Sequence, residues 1–514
     1  MKENKLLLIS ILERQYNNLG ISQLAGYLRS QGKKVDLLFF HKNEDDDFIL
    51  NQTIGEHTHF AFSVFQSNIV QIKRISQKIK ERNEKVRIIF GGPFATIYYR
   101  EIARDIACVD YIVLGDGEIP MMRLLSGRTD YPYIYVRENE SDSYLAYRNS
   151  AIANWAPAED YFHINRGSGH VHCILTKNNV CTGACTFCCT KKSGYIEYRS
   201  NESIISEITR LNDLYSISYF YFVDDDLFDP NNHIAKKRIY DLCKALIELN
   251  KNLHFYCYAK ATTFSDSEYD SALLDVMHMA GFDTVFIGVE SANEQDLILY
   301  NKKNRIDDNY RSIRLLKEHF IYPMIGFICF NPYSTLNTIK ENFLFLINTK
   351  VHEFVNYVKS FLEIYKGSPM FKLAEKENLF GDNYNYMNLD DFRFVSDDRE
   401  VLVKIVTLLR NKFSDDEFII AGGWSRFSIY YYGLLRDNKS LMMFMDEYSV
   451  LEQKYFDIMY SYFSKLYVEN DFKYCEENYS LFVDQYRSNI REMEKLKARI
   501  IRKNMKGSWE KRND

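Results

Sequence analysis

Four of the ten cysteines in this 514-residue chain lie within nine residues of one another: Cys181, Cys185, Cys188 and Cys189. The first three form a C-x3-C-x2-C run, and clustered thiolates of this kind bind a soft metal centre. An iron–sulfur cluster is the usual occupant when no histidine takes part. Three ligands leave one iron of a cubane cluster open, so that a small molecule can bind the metal directly. The alternatives are a disulfide framework and a zinc site whose fourth ligand is His170 or His172.

The cysteine run sits among segments that predict a barrel. From Val171 onward, strand-like and helix-like segments alternate, with predicted strands over 172–176, 217–223, 253–260, 284–291 and 325–331. A sixth strand precedes the turn at Gly367. These β-α units make a partial (β/α)6 barrel, and barrel enzymes place their chemistry at the carboxyl ends of the strands. The cysteine run follows the first of these ends, three aspartates follow the second, and Lys260 closes the third.

The first 125 residues predict a separate α/β region. Strand-like runs at 5–12, 34–40, 59–65, 86–93 and 109–118 alternate with helical segments at 20–29, 68–82 and 97–106. This alternation predicts an open, Rossmann-like parallel sheet, and such sheets bind ligands at the carboxyl ends of their strands. Small or acidic residues occupy those ends: Ser63, Gly91, Gly92, Gly115, Gly117 and Glu118. Glycine lets a cofactor approach the backbone, although each glycine taken alone also suits a plain turn.

The chain divides into four predicted segments. We expect a Rossmann-like domain over 1–125, a linker over 126–170, a partial barrel over 171–385 and a mostly helical domain over 386–514. The linker mixes charge, tyrosine and glycine without a sustained period. The last segment contains no proline, and its apolar spacing predicts helices over 401–409, 429–435, 448–467 and 474–504.

With Phe187 before its third cysteine, the cysteine run resembles the signature of the radical S-adenosylmethionine (radical SAM) enzymes. The resemblance implies that Cys181, Cys185 and Cys188 hold a [4Fe–4S] cluster whose open iron binds S-adenosylmethionine (SAM), with Phe187 against the bound SAM. In that family an electron from the cluster cleaves SAM to a 5′-deoxyadenosyl radical. An external donor of the flavodoxin or ferredoxin type supplies the electron.

The aspartates after the second predicted strand extend this resemblance. Phe222-Val-Asp224-Asp225 is similar to a Phe-x-Asp-Asp motif of the family, which implies that Asp224 and Asp225 receive the amino group of SAM. Asp226 is the third candidate, because three aspartates run consecutively. Lys260 would pair with the SAM carboxylate, and an exposed lysine at a strand end is its alternative.

The fourth predicted strand carries the next match. Gly288-Val-Glu290-Ser291 resembles a Gly-Ile-Glu-Ser motif, which implies that Glu290 and Ser291 hydrogen-bond the ribose or methionine part of SAM. Lys302 and Lys303 fit the same block of the family. The motifs follow one another in the family's order, which a zinc site would not explain.

Two N-terminal segments, GGPFAT at 91–96 and DYIVLGDGE at 110–118, resemble the cobalamin-binding domain that precedes the radical core in B12-dependent radical SAM enzymes. The resemblance implies cobalamin at the strand ends named above, from Ser63 to Glu118. No Asp-x-His-x-x-Gly follows the first predicted strand, where many cobalamin domains place the histidine that ligates cobalt. A domain that keeps the fold without the cofactor is the alternative.

The resemblance implies an enzyme that abstracts hydrogen from an unactivated carbon and methylates that carbon with the help of cobalamin. The substrate would be a small molecule, a peptide or a natural product. Two alternatives stay open. One is a radical SAM enzyme that cyclises, rearranges or crosslinks its substrate without bound cobalamin. The other is a non-enzymatic iron–sulfur or zinc regulatory protein.

Bulk composition excludes several other classes. A net charge of −5, from 65 basic and 70 acidic residues, argues against nucleic acid as the main partner. No apolar run approaches the length of a membrane span, so we predict a cytoplasmic protein without a membrane partner. The cysteine count leaves no set for a second cluster, because the six cysteines outside the run are scattered along the chain. Of these, Cys243, Cys257, Cys329 and Cys475 are expected to be buried apolar residues.

Overall fold

A computed structural model describes residues 5–12, 18–42, 44–53, 55, 57–137, 144–147, 157–164, 170–178, 180–189, 195–413 and 443–510. The backbone divides into two compact units. The first comprises Met1–Val180 and Ser193–Asp224, and the second comprises Cys181–Lys192 and Asp225–Asp514. The cysteine run therefore belongs to the second unit. The predicted helix at 429–435 lies outside the described residues.

The first unit contains a six-stranded sheet in the order β2-β1-β3-β4-β5-β6. Its strands are β1 Leu6–Leu12, β2 Val35–His41, β3 His59–Ser63, β4 Arg87–Gly91, β5 Tyr111–Val113 and β6 Ile134–Val136. The first five pair in parallel, which confirms the five predicted strands and the open parallel sheet. β6 pairs antiparallel with β5 and was not predicted, because it lies within the segment expected to be a linker.

Helices cover the faces of this sheet. They are α1 Leu19–Ser30, α2 Asp46–Thr53, α3 Ile69–Arg82, α4 Pro93–Ile97, α5 Tyr99–Asp105, α6 Glu118–Leu125 and α7 Asp160–Ile164. The side chain of Asn18 caps α1 by accepting a hydrogen bond from the backbone N–H of Ile21. Apolar faces of α1 and α6 pack on β1, β2 and β5 in one core, with Leu6, Leu28 and Ile134 fully buried.

The first unit also contains β7 Val171–Ile174, α8 Asn201–Tyr215 and β8 Tyr219–Phe222. β7 and β8 pair in parallel, as expected for the first two strands of a β-α-β series. Ser200 caps α8 with a hydrogen bond to the backbone N–H of Ser203. These elements bring Asp224, just beyond β8, to the end of β7.

The second unit contains three parallel strands, β9 His254–Lys260, β10 Phe282–Glu290 and β11 Tyr322–Phe327. Its helices are α9 His233–Glu248, α10 Glu268–Ala280, α11 Glu294–Leu299, α12 Ile306–Glu318, α13 Leu336–Thr349, α14 Phe354–Val358 and α15 Pro369–Glu377. Burial alternates strictly along β9, so Tyr258 and Lys260 share the face opposite to Cys257 and Ala259. Where a sixth barrel strand was predicted, Phe361 makes an isolated parallel bridge to Phe330.

Helices follow the strands of the second unit: α16 Arg399–Lys412, α17 Met445–Tyr467, α18 Phe472–Glu477 and α19 Tyr479–Glu510. They confirm the predicted helices at 401–409, 448–467 and 474–504. α17 packs on α13, where the Phe343 ring stacks against Tyr460 and Tyr467. Within the described residues, no helix has both the length and the apolar character needed to cross a lipid bilayer.

Candidate active site

One pocket in the second unit gathers the three cysteines of the C-x3-C-x2-C run. Its empty space amounts to about 930 Å³ when the open mouth is included. Cys181, Cys185, Cys188 and Phe187 line it from the cysteine loop, and all three cysteines are half-buried free thiols. The ends of β9 and β10 also line the pocket, with Lys260, Gly288 and Glu290. The structure thus places the thiols at the carboxyl ends of parallel strands.

The first part of the cysteine loop is held by one buried carboxylate. Asp229 accepts the backbone N–H of Thr182 at 2.9 Å and its hydroxyl at 2.5 Å. Thr182 directly follows Cys181, so this pair of hydrogen bonds fixes where the first cysteine sits. Asp229 was not predicted, because it lies in the loop after β8 and outside any recognisable motif.

The turn after α11 holds the second part of the loop. The backbone N–H of Thr186 donates to the carbonyl of Tyr300 at 3.0 Å, and the Asn301 side-chain amide donates to the carbonyl of Ala184 at 2.9 Å. The rings of Phe187 and Tyr300 meet edge to face with centroids 5.6 Å apart. These contacts lie on both sides of Cys185 and fix its position against the turn.

Lys260 forms an ion cluster at the pocket wall. Its ammonium lies 2.5 Å from Asp229 Oδ1, 3.0 Å from Asp226 Oδ2 and 2.8 Å from Thr182 Oγ1. Burial lowers the pKa of Lys260, but the two carboxylates outweigh burial and leave the pKa raised, so the ammonium stays charged. Burial raises the pKa of Asp226 to about 6, even with the opposing charge of Lys260. The Asp229 pKa is lowered, because hydrogen bonds from Lys260 and Thr182 overcome its desolvation.

Glu290 and Lys302 form a second ion pair across the pocket, with 3.2 Å between Glu290 Oε1 and Lys302 Nζ. Glu290 ends β10 with φ of 67°, a left-handed conformation that is uncommon outside glycine. Glycines make room for the pair: a Cβ on Gly288 would lie 2.8 Å from Lys302 Nζ, and one on Gly326 would lie 3.2 Å from Glu290 Oε2. The pocket therefore carries both charges, as a zwitterionic ligand requires.

The consecutive aspartates after β8 have different surroundings. Asp225 is exposed and lines the pocket. Asp224 is buried, and its carboxylate accepts backbone N–H groups of Thr176 and Lys177 at 3.0–3.1 Å. Asp226 is buried against Lys260. Of the predicted SAM-amino partners, Asp225 therefore faces the pocket, whereas Asp224 holds the end of β7.

Ser291 follows Glu290 but is fully buried in a polar network. Its Oγ lies 2.8 Å from Asp296 Oδ2 and 3.0 Å from Asn342 Oδ1, and Asn342 also accepts the backbone N–H of Ala292. These contacts fix the turn between β10 and α11. Ser291 is not among the residues that line the pocket, and its predicted contact with SAM stays a prediction.

The two histidines of the zinc alternative do not line the pocket of the cysteine run. The two candidate histidines have other partners: His172 Nε2 lies 2.7 Å from Glu207 Oε1, and His170 Nδ1 lies 3.1 Å from Tyr161 Oη. Three thiolates on one pocket wall suit a cluster, because each ligand then binds a different iron.

The predicted cobalamin edge of the first unit brings Ser63 and Gly91 side by side. They are register partners at the ends of β3 and β4. Gly92 has φ of 98°, and a Cβ there would lie 3.1 Å from the carbonyl oxygen of Val64, so this turn requires glycine. The Ser63 hydroxyl accepts a hydrogen bond from Asn18 at 3.0 Å.

The predicted cobalamin residues in the second half of that edge have different surroundings. A Cβ on Gly115 would lie 2.0 Å from the carbonyl oxygen of Tyr147, so the chain itself occupies the space that this glycine leaves. Gly117 precedes α6 and faces Leu24. Glu118 begins α6, and its buried Oε2 has no hydrogen-bond partner among the described residues. Burial raises the pKa of Glu118. An unsatisfied acceptor at a strand edge fits a cofactor rich in amide donors, such as cobalamin.

The fold and the cysteine pocket define an α/β enzyme with an N-terminal cofactor-binding sheet. Family models support this division: the B12 binding domain matches residues 6–125, and the radical SAM superfamily matches residues 175–346. The chain therefore carries a B12-binding domain followed by a radical SAM domain, which is the domain order of the B12-dependent radical SAM enzymes. The cofactors of these two domains are a [4Fe–4S] cluster, SAM and cobalamin. The chain is a radical SAM enzyme.

Individual relatives are distant but cover most of the chain. The anaerobic magnesium-protoporphyrin IX monomethyl ester cyclase of Rubrivivax gelatinosus is 23% identical over 435 residues, which is 78% of this chain and 74% of the cyclase. The structure of the cobalamin-dependent SAM radical enzyme OxsB, with aqua-cobalamin and SAM bound, matches with a TM-score of 0.66 and 18% identity, over 98% of this chain and 81% of OxsB. The radical SAM methyltransferase TsrM of Kitasatospora setae matches with a TM-score of 0.57 and 16% identity, over 74% of this chain and 79% of TsrM.

These matches confirm the predicted fold class: a Rossmann-like B12-binding domain, a radical SAM domain and a helical C-terminal part. They do not bear on the boundaries predicted for the four segments, which stay predictions.

Proposed function

We propose that this enzyme methylates an unactivated carbon of a peptide or natural-product substrate. The observation that carries the proposal is the pocket in which three thiols, Asp225 and the Glu290–Lys302 pair meet, in a chain that also has a B12-binding domain. Bound to the protein, the cluster supplies the electron that cleaves SAM to a 5′-deoxyadenosyl radical, and cobalamin supplies the methyl group for transfer.

The residues of this chain have distinct parts in the proposal. Cys181, Cys185 and Cys188 ligate the cluster, and Asp229 fixes the first of them through Thr182. Asp225 accepts the amino group of SAM, because it is the exposed carboxylate of the DDD run at the pocket. Glu290 lines the same pocket as the cysteines, where the ribose or methionine part of SAM would reach it.

A separate set of residues serves the cobalamin. In the first unit, Ser63, Gly91 and Gly92 form an edge without bulky side chains, where the cofactor can approach the backbone. Glu118 offers its unsatisfied buried oxygen to an amide donor of the corrin. The space beside Gly115 is taken by Tyr147, so we assign that glycine to folding and not to cofactor contact.

The reaction balances with two SAM molecules and two electrons. One SAM takes an electron and becomes methionine and 5′-deoxyadenosine, whose new hydrogen comes from the substrate C–H bond. The other SAM gives its methyl group and leaves as S-adenosylhomocysteine, and the substrate gains a C–CH3 bond. The second electron restores the cobalamin. Both electrons come from a flavodoxin or ferredoxin. We also propose that the enzyme works in the cytoplasm.

Radical ring formation or rearrangement without methyl transfer is a second candidate. The similarity to a cyclase over 78% of this chain favours it. The two candidates differ in their products, because a cyclisation or rearrangement yields 5′-deoxyadenosine without S-adenosylhomocysteine.

The test is anaerobic reconstitution with iron, sulfide and hydroxocobalamin, followed by desalting and quantification of iron and corrinoid. SAM and dithionite are then added, and both SAM-derived products are measured with and without cobalamin. Methyl transfer predicts 5′-deoxyadenosine together with S-adenosylhomocysteine that forms only in the cobalamin-loaded protein. 5′-Deoxyadenosine without S-adenosylhomocysteine would favour the second candidate, and a protein that retains neither iron nor corrinoid would overturn both.

A further inference from the structure

Lys302 holds a buried positive charge beside the cysteine loop. Its side chain is 10% exposed, and its ammonium lies over Gly288 of β10, which has no side chain to displace it. Glu290 is its ion-pair partner at 3.2 Å. The left-handed φ of Glu290 lies in a sparsely populated backbone region for a residue other than glycine, so the fold holds this carboxylate in place against backbone strain.

The turn that carries Lys302 is fastened to the cysteine loop on either side of Cys185. Asn301 donates to the carbonyl of Ala184, and Thr186 donates through its hydroxyl to the carbonyl of Leu299 at 2.7 Å. Cys185 and Lys302 both line the same pocket. The position of the turn that carries Lys302 relative to this cysteine is therefore set by hydrogen bonds between the two segments.

The two neighbouring lysines differ sharply. Lys303 also lines the pocket, but it is exposed and donates to Asn301 Oδ1 at 2.9 Å. Solvent and salt screen an exposed charge, whereas a buried charge is screened much less. Lys260, the third cation of the pocket, faces two carboxylates and not one. Lys302 is thus the pocket lysine that combines burial with a single acidic partner.

We propose that Lys302 is a positioning residue that raises the reduction potential of the cluster through its fixed charge, and that it is not a ligand for SAM. Reduction adds one negative charge to a cluster that is already anionic with three thiolates. A fixed cation in the same pocket stabilises the reduced state more than the oxidised state, and surrounding charge is one of the factors that set iron–sulfur potentials.

This inference rests on the proposed ligand set, but not on methyl transfer. The experiment is an EPR-monitored redox titration of the reconstituted full-length enzyme without SAM, combined with iron analysis. K302M should keep its iron and shift the midpoint to a more negative potential. K302R, which keeps the charge, and K303M, which removes a screened charge from the next residue, should both titrate like the wild type.

Three outcomes would overturn the proposal: an unchanged midpoint in iron-loaded K302M, an equal shift in K303M, or a K302M enzyme whose only defect is weaker SAM binding. If K302M fails to hold iron, K302Q takes its place, because the amide removes the charge but keeps a hydrogen-bond donor for Glu290. K302Q should then shift the midpoint in the same direction, and an unchanged midpoint would refute the proposal. A wild-type enzyme without a reducible cluster would instead refute the proposed ligand set itself.

Discussion

Asp229 binds Thr182 twice, through the backbone N–H and the hydroxyl, and is itself fully buried. Lys260 donates to the same carboxylate at 2.5 Å. The loop that presents Cys181 is thereby attached to a charge pair at the end of β9. A structural carboxylate next to a metal site commonly orients its ligands, and removal of such a partner weakens metal affinity.

Replacement of Asp229 by asparagine should lower iron retention. The amide keeps the size of the side chain but loses the charge-assisted bonds from Thr182 and Lys260, each worth about 1.5–3 kcal/mol. We expect less iron per chain after reconstitution and desalting, and faster loss of the remaining iron to a chelator. The matched variant is D225N, which removes the exposed aspartate at the same pocket: it should retain iron and lose SAM affinity. Equal iron retention in D229N and the wild type would show that Asp229 does not hold the cysteine loop in place.

Glu118 gives the corresponding prediction for the first unit. Its unsatisfied oxygen would gain a hydrogen bond from a corrin amide, so E118A should weaken corrinoid binding by about tenfold, or 1.4 kcal/mol. The measurement is titration of the iron-free protein with hydroxocobalamin, which needs no catalysis. E81A, at an exposed position on α3, is the control. Unchanged corrinoid affinity in E118A would show that this carboxylate does not face the cofactor.

The sequence located the site through the strand ends. Asp225 and Glu290 were predicted from their resemblance to family motifs at the carboxyl ends of predicted strands, and the carboxyl ends of parallel strands share one edge. Which aspartate of the DDD run enters the pocket was beyond the sequence, because successive side chains beyond a strand end turn in different directions. Lys260 was recognised as a cation at a strand end, but its partner Asp229 lies in a loop that no periodicity describes.

The prediction of the fold also failed where long-range contacts decide the structure. Apolar runs predicted β1 to β5, and the burial of β1 and of the middle of β4 on both faces accounts for their continuous hydrophobic stretches. β6 was missed because three residues in a polar segment carry too little pattern, and its partner β5 decides its place. Gly115 was predicted from its position at a strand end to let a cofactor approach, whereas the structure fills that space with Tyr147. A long-range contact of this kind leaves no local trace in the sequence.

Gly115 can be tested against a glycine with open surroundings. Both Gly115 and Gly32 have positive φ, at 85° and 74°, so an alanine at either position meets backbone strain. Only at Gly115, of these two, would the Cβ also collide with backbone, namely that of Tyr147. G115A should therefore lower the thermal midpoint clearly more than G32A, and it should expose the 144–147 segment to limited proteolysis. Equal midpoints would mean that the close approach of Gly115 to Tyr147 contributes little to thermal stability.

His352 couples the packing of α17 to pH. It is fully buried, with Nε2 2.7 Å from Glu452 Oε1, while Tyr455 donates to its backbone carbonyl at 2.9 Å. Burial lowers the pKa of His352, with the Lys317 charge acting in the same direction and the Glu452 carboxylate opposing it. The imidazole is therefore neutral in the folded protein near neutral pH, and its Nε2–H donates to Glu452.

The sign of the pH effect follows from proton linkage. Because the folded pKa of His352 is below its ordinary value near 6.5, the unfolded chain binds more protons in the interval between them. The stabilisation is present above that interval and is lost as pH falls through it. The Glu452 pKa is lowered to about 2, since the bond from His352 and nearby lysine charges outweigh burial, so its contribution is lost only in stronger acid.

We therefore expect the thermal midpoint of the apo protein to fall between about pH 7.5 and about pH 5.5, with His352 responsible for part of the slope. H352Q keeps an amide donor for Glu452 but cannot titrate, so its midpoint should change less over this range. H319Q, at a histidine that bonds the exposed Asp275 on the protein surface, should keep the wild-type slope. Far-UV circular dichroism at several pH values measures all three proteins. If the thermal midpoint of H352Q falls as steeply with pH as that of the wild type, the acid sensitivity comes from groups other than this buried histidine. The packing of α17 on the 351–358 segment would then be independent of the protonation of His352.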